Sequence, residues 1–160
     1  MARRHLSLRV GDDAAARELR AGFARIRAEL DLPDGFPAAV REEAERAARE
    51  PRLPAYDVTD LPFLTIDPPG SMDLDQALHI VRDGDGFVVH YAIADVAAFV
   101  TPGDPVDLEA HRRGETLYGA GSRIPLHPAE LSESTASLLP DQTCPAVLWT
   151  IGVDATGAVG

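Results

Sequence analysis

The sequence predicts an α+β fold: a mostly antiparallel sheet with flanking helices, behind a small helical leader. Three observations predict it. Within the first 55 residues one segment places apolar side chains at helical spacing, and a second, after Pro37, is rich in alanine with Glu and Arg on its outer face. Residues 77–94 hold two strand-like runs around an Asp-Gly-Asp-Gly turn. A further β-branched and aromatic run occupies 147–153. With 160 residues, 45% hydrophobic and 26% charged, the chain has material for one soluble domain's core and a small appendage.

Along the chain, His5 to Val10 alternate with period two, as in a half-buried strand. Asp12 is placed to cap a helix over 13–30, where Leu19, Phe23, Ile26 and Leu30 recur at spacings of four, three and four. Pro33-Asp34-Gly35 stops that helix, and Pro37 suits the first turn of a second over 37–49. The stretch 51–54, Pro-Arg-Leu-Pro, reads as a linker, so the leader is set at 1–55. Strands are expected over 77–82 and 87–94. Phe87, Val89, Tyr91 and Ile93 fall on one face of the second, and Val88, His90 and Ala92 on the other. A helical turn over 96–100 follows, then a helix over 106–118 with Asp107 near its start, a loop over 122–131, a short helix over 132–139 and a last strand over 147–153. That strand and the turn after it make half a hairpin with an open edge, so 56–160 reads as the truncated first part of a larger domain.

Composition narrows the function classes. No apolar run approaches the ~20 residues of a membrane span, and the amino terminus lacks the apolar core of a secretory signal. The single Cys144 rules out an internal disulfide and fits a reducing cytoplasm. The net charge of −11 argues against a generic nucleic-acid-binding surface. It leaves room for a nuclease, which needs acid at its metal and base only along the strand's track.

The most informative segment is TIDPPGSMDLDQAL at 65–78, where Asp67, Asp73 and Asp75 crowd into nine residues beside apolar runs. Carboxylates this close repel one another and lose hydration. A hard divalent cation relieves that cost, because Mg²⁺ and Mn²⁺ take oxygen ligands at short range. An acidic turn between two strands accounts for the same triplet without a metal. A calcium loop beginning at Asp73 does not: its sixth position is Leu78 where glycine is required, and its twelfth is Gly84 where glutamate is required.

Together with HYAIADVAAFVTPGDPVDLEAHRRGETLYGAGSRIPLHPAELSESTASLLPDQ, this segment resembles the start of the catalytic domain of the ribonuclease II / ribonuclease R family, from about Leu61 onward. The acidic spacing, the 92–96 segment, Arg113 to Tyr118 and Ile124-Pro125 occur in the family's order. The resemblance implies a hydrolytic 3′-to-5′ exoribonuclease that degrades single-stranded RNA to nucleoside 5′-monophosphates with Mg²⁺, or Mn²⁺ in its place. It assigns Asp67, Asp73 and Asp75 to the first three of four family aspartates, with Asp75 the catalytic one. Gln76 stands at the fourth; its amide oxygen can ligate a cation but brings no charge, which implies weaker metal binding or one ion where two would sit. Tyr118 matches a tyrosine that stacks on the 3′-terminal nucleotide. The alternative is an RNA-binding remnant of that family which does not cleave.

The remaining residues read more plainly. Arg112, Arg113 and Arg123 flank Tyr118 and are candidates for phosphate contact as well as ordinary surface arginines. Asp95, directly after a strand, is expected to bond backbone amides, and His79 and His90 to be strand side chains rather than ligands. Trp149 alternates with Val147 and Ile151 and is expected in the core. Cys144, with no basic neighbour in sequence, is expected to be unreactive.

Overall fold

The computed structural model describes residues 14–119 and 122–160; the strand expected at 5–10 and the Asp12 cap lie outside them. Two compact units divide the chain, Met1–Gly35 and Phe36–Gly160. In the first, α1 (Ala14–Glu29) forms where the apolar spacing predicts it. It closes through the Leu32 N–H to the Arg27 carbonyl at 2.9 Å, with Asp31 in the left-handed region at φ +49°. Arg27 then pairs with Asp34 at 3.1 Å.

The second unit opens with α2 (Ala38–Arg49), preceded by Pro37 at φ −54°. Val40, Ala44 and Ala47, spaced four and three, share one helical face. All three are buried in a core cluster with Ala98, Phe99, Val106, Leu131 and Ala136. The helix assigned to the leader by sequence therefore helps build the core of the unit that carries the sheet.

That sheet has three antiparallel strands in the order β1-β2-β5: β1 (Gln76–Asp83), β2 (Gly86–Ala94) and β5 (Ala146–Val153). The β1–β2 pairing runs from Asp83 opposite Gly86 to Gln76 opposite Ile93. The two loop glycines do different work. Gly84 takes φ +56° in the two-residue loop, whereas a Cβ on Gly86 would lie 2.2 Å from the Val153 carbonyl oxygen.

Asp95 follows β2 and accepts the Ala97 N–H at 3.0 Å, capping a 3₁₀ turn at Val96–Ala98, the structural role its position predicts. Arg52 straps the proline-rich link to this turn: its N–H bonds the Ala98 carbonyl at 2.9 Å, and its guanidinium reaches the Val100 carbonyl at 2.9 Å and the Thr101 hydroxyl at 3.0 Å. Asp104 then caps α3 (Pro105–Arg113) by accepting the Asp107 N–H at 2.8 Å.

Three sequence expectations give way here. The helix expected to reach 118 stops at Arg113, because Gly114 adopts φ +79° and its N–H closes on the Ala110 carbonyl at 2.9 Å. The chain then forms a small hairpin of β3 (Leu117–Gly119) and β4 (Ser122–Ile124), inside what sequence assigned to helix and loop. The short helix expected at 132–139 is a π-helical turn at Leu131–Thr135, broken at Ser134 with φ −141° and ψ −109°.

Burial is uneven across the sheet. Ala77 and Ala92, on one face, are buried, while Val81 on the same face is itself 42% exposed. On the other, Ile80, Phe87, Ile93, Val147 and Trp149 are 37–57% exposed. The core expectation for Trp149 is thus corrected. Alternation grouped it rightly with Val147 and Ile151, but periodicity reports which face a residue shares and not whether that face is covered. Among the described residues no helix is long and apolar enough to cross a membrane.

Candidate active site

The acidic segment is held by backbone bonds at several points. Leu64 and Leu78 exchange two N–H···O bonds of 2.9 Å, fastening the run before Asp67 to β1. Pro68-Pro69-Gly70-Ser71 then reverses the chain: the Ser71 N–H reaches the Pro68 carbonyl at 3.1 Å, and Gly70 takes φ +86°. This is the type II arrangement, with proline second and glycine third. Leu74 is buried, its N–H bonded to the Ser137 hydroxyl at 2.8 Å and its carbonyl to the Leu138 N–H at 2.9 Å. The Asp75 carbonyl accepts the Ala94 N–H at 2.9 Å. Leu74 is thus buried between Asp73, which is half-buried, and Asp75, which is exposed.

Asp67, Asp73, Asp75 and Gln76 all line one cleft of about 310 Å³, walled by Leu64, Ile66, Leu78 and Tyr91. Partial burial, then the carboxylates of Asp73 and Asp67, raise the Asp75 pKa above its ordinary value. The Gln76 amide oxygen accepts a hydrogen bond from the Tyr91 hydroxyl across the hairpin.

Arg123, on β4, donates Nη1 to Asp73 Oδ2 at 2.8 Å and Nη2 to the Glu133 carboxylate. The two pairings, the Asp73 hydrogen bond foremost, raise its pKa. Tyr118 lies directly across the hairpin from Arg123 and is 78% exposed, so its ring is open to solvent.

Arg113 departs from the sequence expectation. Arg113 was a candidate for phosphate contact, but its side chain is 3% exposed. Its Nε bonds Glu109 at 2.8 Å, its Nη1 the Pro125 carbonyl at 3.0 Å, and its guanidinium lies 3.7 Å above the Phe36 ring. Arg112 is exposed, yet it grips the same Glu109 through two bonds of 2.7 and 2.8 Å. These contacts hold the Glu109 carboxyl down at about pKa 2, the Arg112 hydrogen bonds being the largest cause. Arg123, the third candidate, is occupied by two carboxylates. An arginine buried or paired in this way is a structural clamp before it is a phosphate contact.

Every expected metal ligand offers oxygen, the donor a hard divalent cation takes, and the repulsion felt at Asp75 is what such a cation would relieve. The donor set, all of it lining one cleft, is of the kind a hard cation takes. Preassembly is a separate matter: among the described residues, no three His, Cys, Asp or Glu side chains stand as a ready ligand group.

Sequence reasoning missed Tyr91 and Glu133 as neighbours of this cleft, and Glu109 as the arginine clamp. The first was within reach of the hairpin register, which sets Tyr91 opposite Leu78, two residues from Gln76. The Glu109 clamp was signalled by arginines at i+3 and i+4 on a helix. Nothing local pointed to Glu133. Cys144 behaves as expected: burial, then the nearby Asp95 charge, push its thiol up to about 11. His79 and His90 stack with their ring centroids 6.1 Å apart.

The chain belongs to the RNB domain family, whose model matches residues 55–160. The matched stretch thus starts after α2, although the compact unit starts at Phe36. Among curated relatives, Exoribonuclease 2 of Vibrio vulnificus is 36% identical over 134 residues, which are 83% of this chain and 20% of the relative. Exoribonuclease 2 of Photorhabdus laumondii is 38% identical over 109 residues, 68% of this chain and 17% of the relative. The fold matches RNase R of Mycoplasma genitalium, solved in complex with ribose-methylated single-stranded RNA, with a TM-score of 0.76 and 29% identity; the match covers 93% of this chain and 23% of that one. The chain therefore spans about a fifth of the length of the curated relatives it matches.

Proposed function

We propose that this chain carries the acidic site of a hydrolytic 3′-to-5′ exoribonuclease acting on single-stranded RNA in the cytoplasm and releasing nucleoside 5′-monophosphates. The observation that carries this reading is the gathering of Asp67, Asp73 and Asp75 in one cleft within the family-matched stretch. Asp67, Asp73 and Asp75 would hold Mg²⁺ or Mn²⁺, with Asp75 the carboxylate whose loss stops cleavage. Such an ion supplies a water of lowered pKa and neutralises charge on the scissile phosphate. The exposed Tyr118 ring offers a face on which the terminal base stacks without regard to its identity. Polar contacts to the terminal sugar and phosphate fall to groups along the same cleft.

A second reading is an RNA-binding remnant that does not cleave. It is favoured by Gln76, which brings no charge and whose amide oxygen already accepts from Tyr91. The two separate when the purified chain is mixed with Mg²⁺ and a 5′-labelled single-stranded RNA. Progressive shortening from the 3′ end supports the enzyme. Retention of RNA at full length supports the remnant, and neither shortening nor retention sinks both.

A further inference from the structure

We propose that Arg123 is a positioning residue for Asp73: its guanidinium, held from behind by Glu133, fixes the Asp73 carboxylate for a divalent cation in the cleft. The inference rests on the cleft being a cation site, as proposed above.

The geometry divides the guanidinium between two carboxylates on opposite sides. Nη1 meets Asp73 Oδ2 at 2.8 Å, and Nη2 meets Glu133. Asp73 is 43% exposed on its side chain, so without a partner it would exchange rotamers in solvent. The arginine takes one of its oxygens and leaves the other free to turn to the cleft. The bond spans fifty residues of sequence, so what orients Asp73 is the hairpin carrying Arg123 and not the local turn.

Glu133 matters for what it prevents. A guanidinium paired with Asp73 alone could swing into the cleft and lie where a cation would. Tied also to the π-helical turn, which is anchored by the buried Leu131, it stays at the rim. The charge balance is compatible with cation binding: one guanidinium faces Asp73 and Glu133, with Asp67 and Asp75 beside them, so the corner remains negative. Outer contacts of this kind orient metal ligands, and removing them weakens metal binding.

The test is a calorimetric titration of Mn²⁺ into the 160-residue chain and into Arg123→Gln, Arg123→Lys and Glu133→Gln, each checked for folding by circular dichroism. Arg123→Gln is expected to raise the Mn²⁺ Kd on the order of tenfold. Arg123→Lys should recover part of this, because an ammonium keeps one contact but cannot span both carboxylates. Glu133→Gln should raise Kd by a smaller factor. A Kd that Arg123→Gln leaves unchanged or tightens overturns the inference, even if RNA affinity falls, since that result would make Arg123 a phosphate contact. Should Arg123→Gln fail to fold, Glu133→Gln decides alone, and a Kd equal to that of the unaltered chain overturns the inference. No Mn²⁺ uptake by the unaltered chain overturns the proposed function along with it.

Discussion

Glu109 and Arg123 are mirror images in charge. At Glu109 one carboxylate faces two guanidiniums, Arg112 and Arg113. At Arg123 one guanidinium faces two carboxylates, Asp73 and Glu133, with Asp67 and Asp75 lining the cleft alongside. The same residue types produce opposite electrostatics. Cations hold the Glu109 carboxyl at about pKa 2, while burial and then the neighbouring anions raise Asp75. In the first cluster Glu109 and Arg113 are enclosed, Arg113 between Glu109 and the Phe36 ring, while Arg112 stays exposed. The second has more negative charge than its own cation balances. A cluster whose carboxylate is buried and fully ion-paired stabilises the fold; one whose carboxylates outnumber their cation in an open cleft is disposed to take a cation.

The largest expected effect breaks the unmatched cluster. Asp75→Asn should abolish 3′ shortening of labelled RNA, by about a thousandfold, on the scale of several kcal/mol that metal-assisted charge stabilisation contributes. RNA retention should persist. Normal cleavage by this variant would reassign the catalytic residue.

Breaking the Glu109 cluster should instead cost stability. Glu109→Ala leaves the Arg113 guanidinium buried without its carboxylate, and should destabilise the chain by about 3 kcal/mol in urea unfolding. The pH dependence has a definite sign. The folded-state pKa of Glu109 lies below its ordinary 4.5, so the unfolded chain binds more protons between the two values. Its contribution is fully present above pH 4.5 and is lost as pH falls towards about 2. Glu109→Gln should flatten the stability curve across that window. A slope unchanged there would show that other carboxylates carry the acid dependence.

How much of this contrast was legible in the sequence follows from range. The Pro68-Pro69-Gly70 turn, the β1–β2 hairpin and the caps at Asp95 and Asp104 are local, set by residues a few positions apart, and periodicity and turn chemistry find them. The resemblance placed Asp67, Asp73 and Asp75 together, and they do line one cleft. What stayed hidden is non-local. Nothing near Arg123 in sequence says that its partner is fifty residues upstream, and nothing near Trp149 says that its face of the sheet is uncovered. Arg113 was misread for a related reason. Proximity to Tyr118 suggested shared function, but Gly114 ends the helix between them and sends the two side chains to different environments.

A smaller effect tests the rim that joins the tyrosine hairpin to the cleft. Tyr118→Ala removes an exposed ring and should weaken single-stranded RNA binding by about 1–2 kcal/mol, roughly tenfold, in fluorescence anisotropy. Mn²⁺ affinity should be unaffected, since Tyr118 is not among the residues that line the acidic cleft. An equal loss of both affinities would mean that the hairpin itself had collapsed.

The finest distinction concerns how unmatched the cleft really is. Gln76 is a neutral side chain in a row of acids, and its amide oxygen accepts from Tyr91. Gln76→Asp adds one negative charge beside Asp75 and should tighten Mg²⁺ by a few fold, since an exposed pair of charges interacts by about 1 kcal/mol. The same charge raises the repulsion in the ion-free cleft, so the variant should also unfold at lower urea without Mg²⁺ and regain stability as Mg²⁺ is added. These two readouts constrain each other. Tighter binding without destabilisation of the ion-free chain would mean that position 76 lies outside the repelling group. Destabilisation with an unchanged Mg²⁺ titration would place Gln76 in the charge field of the cleft but away from the ion, leaving it as the acceptor that holds the Tyr91 hydroxyl.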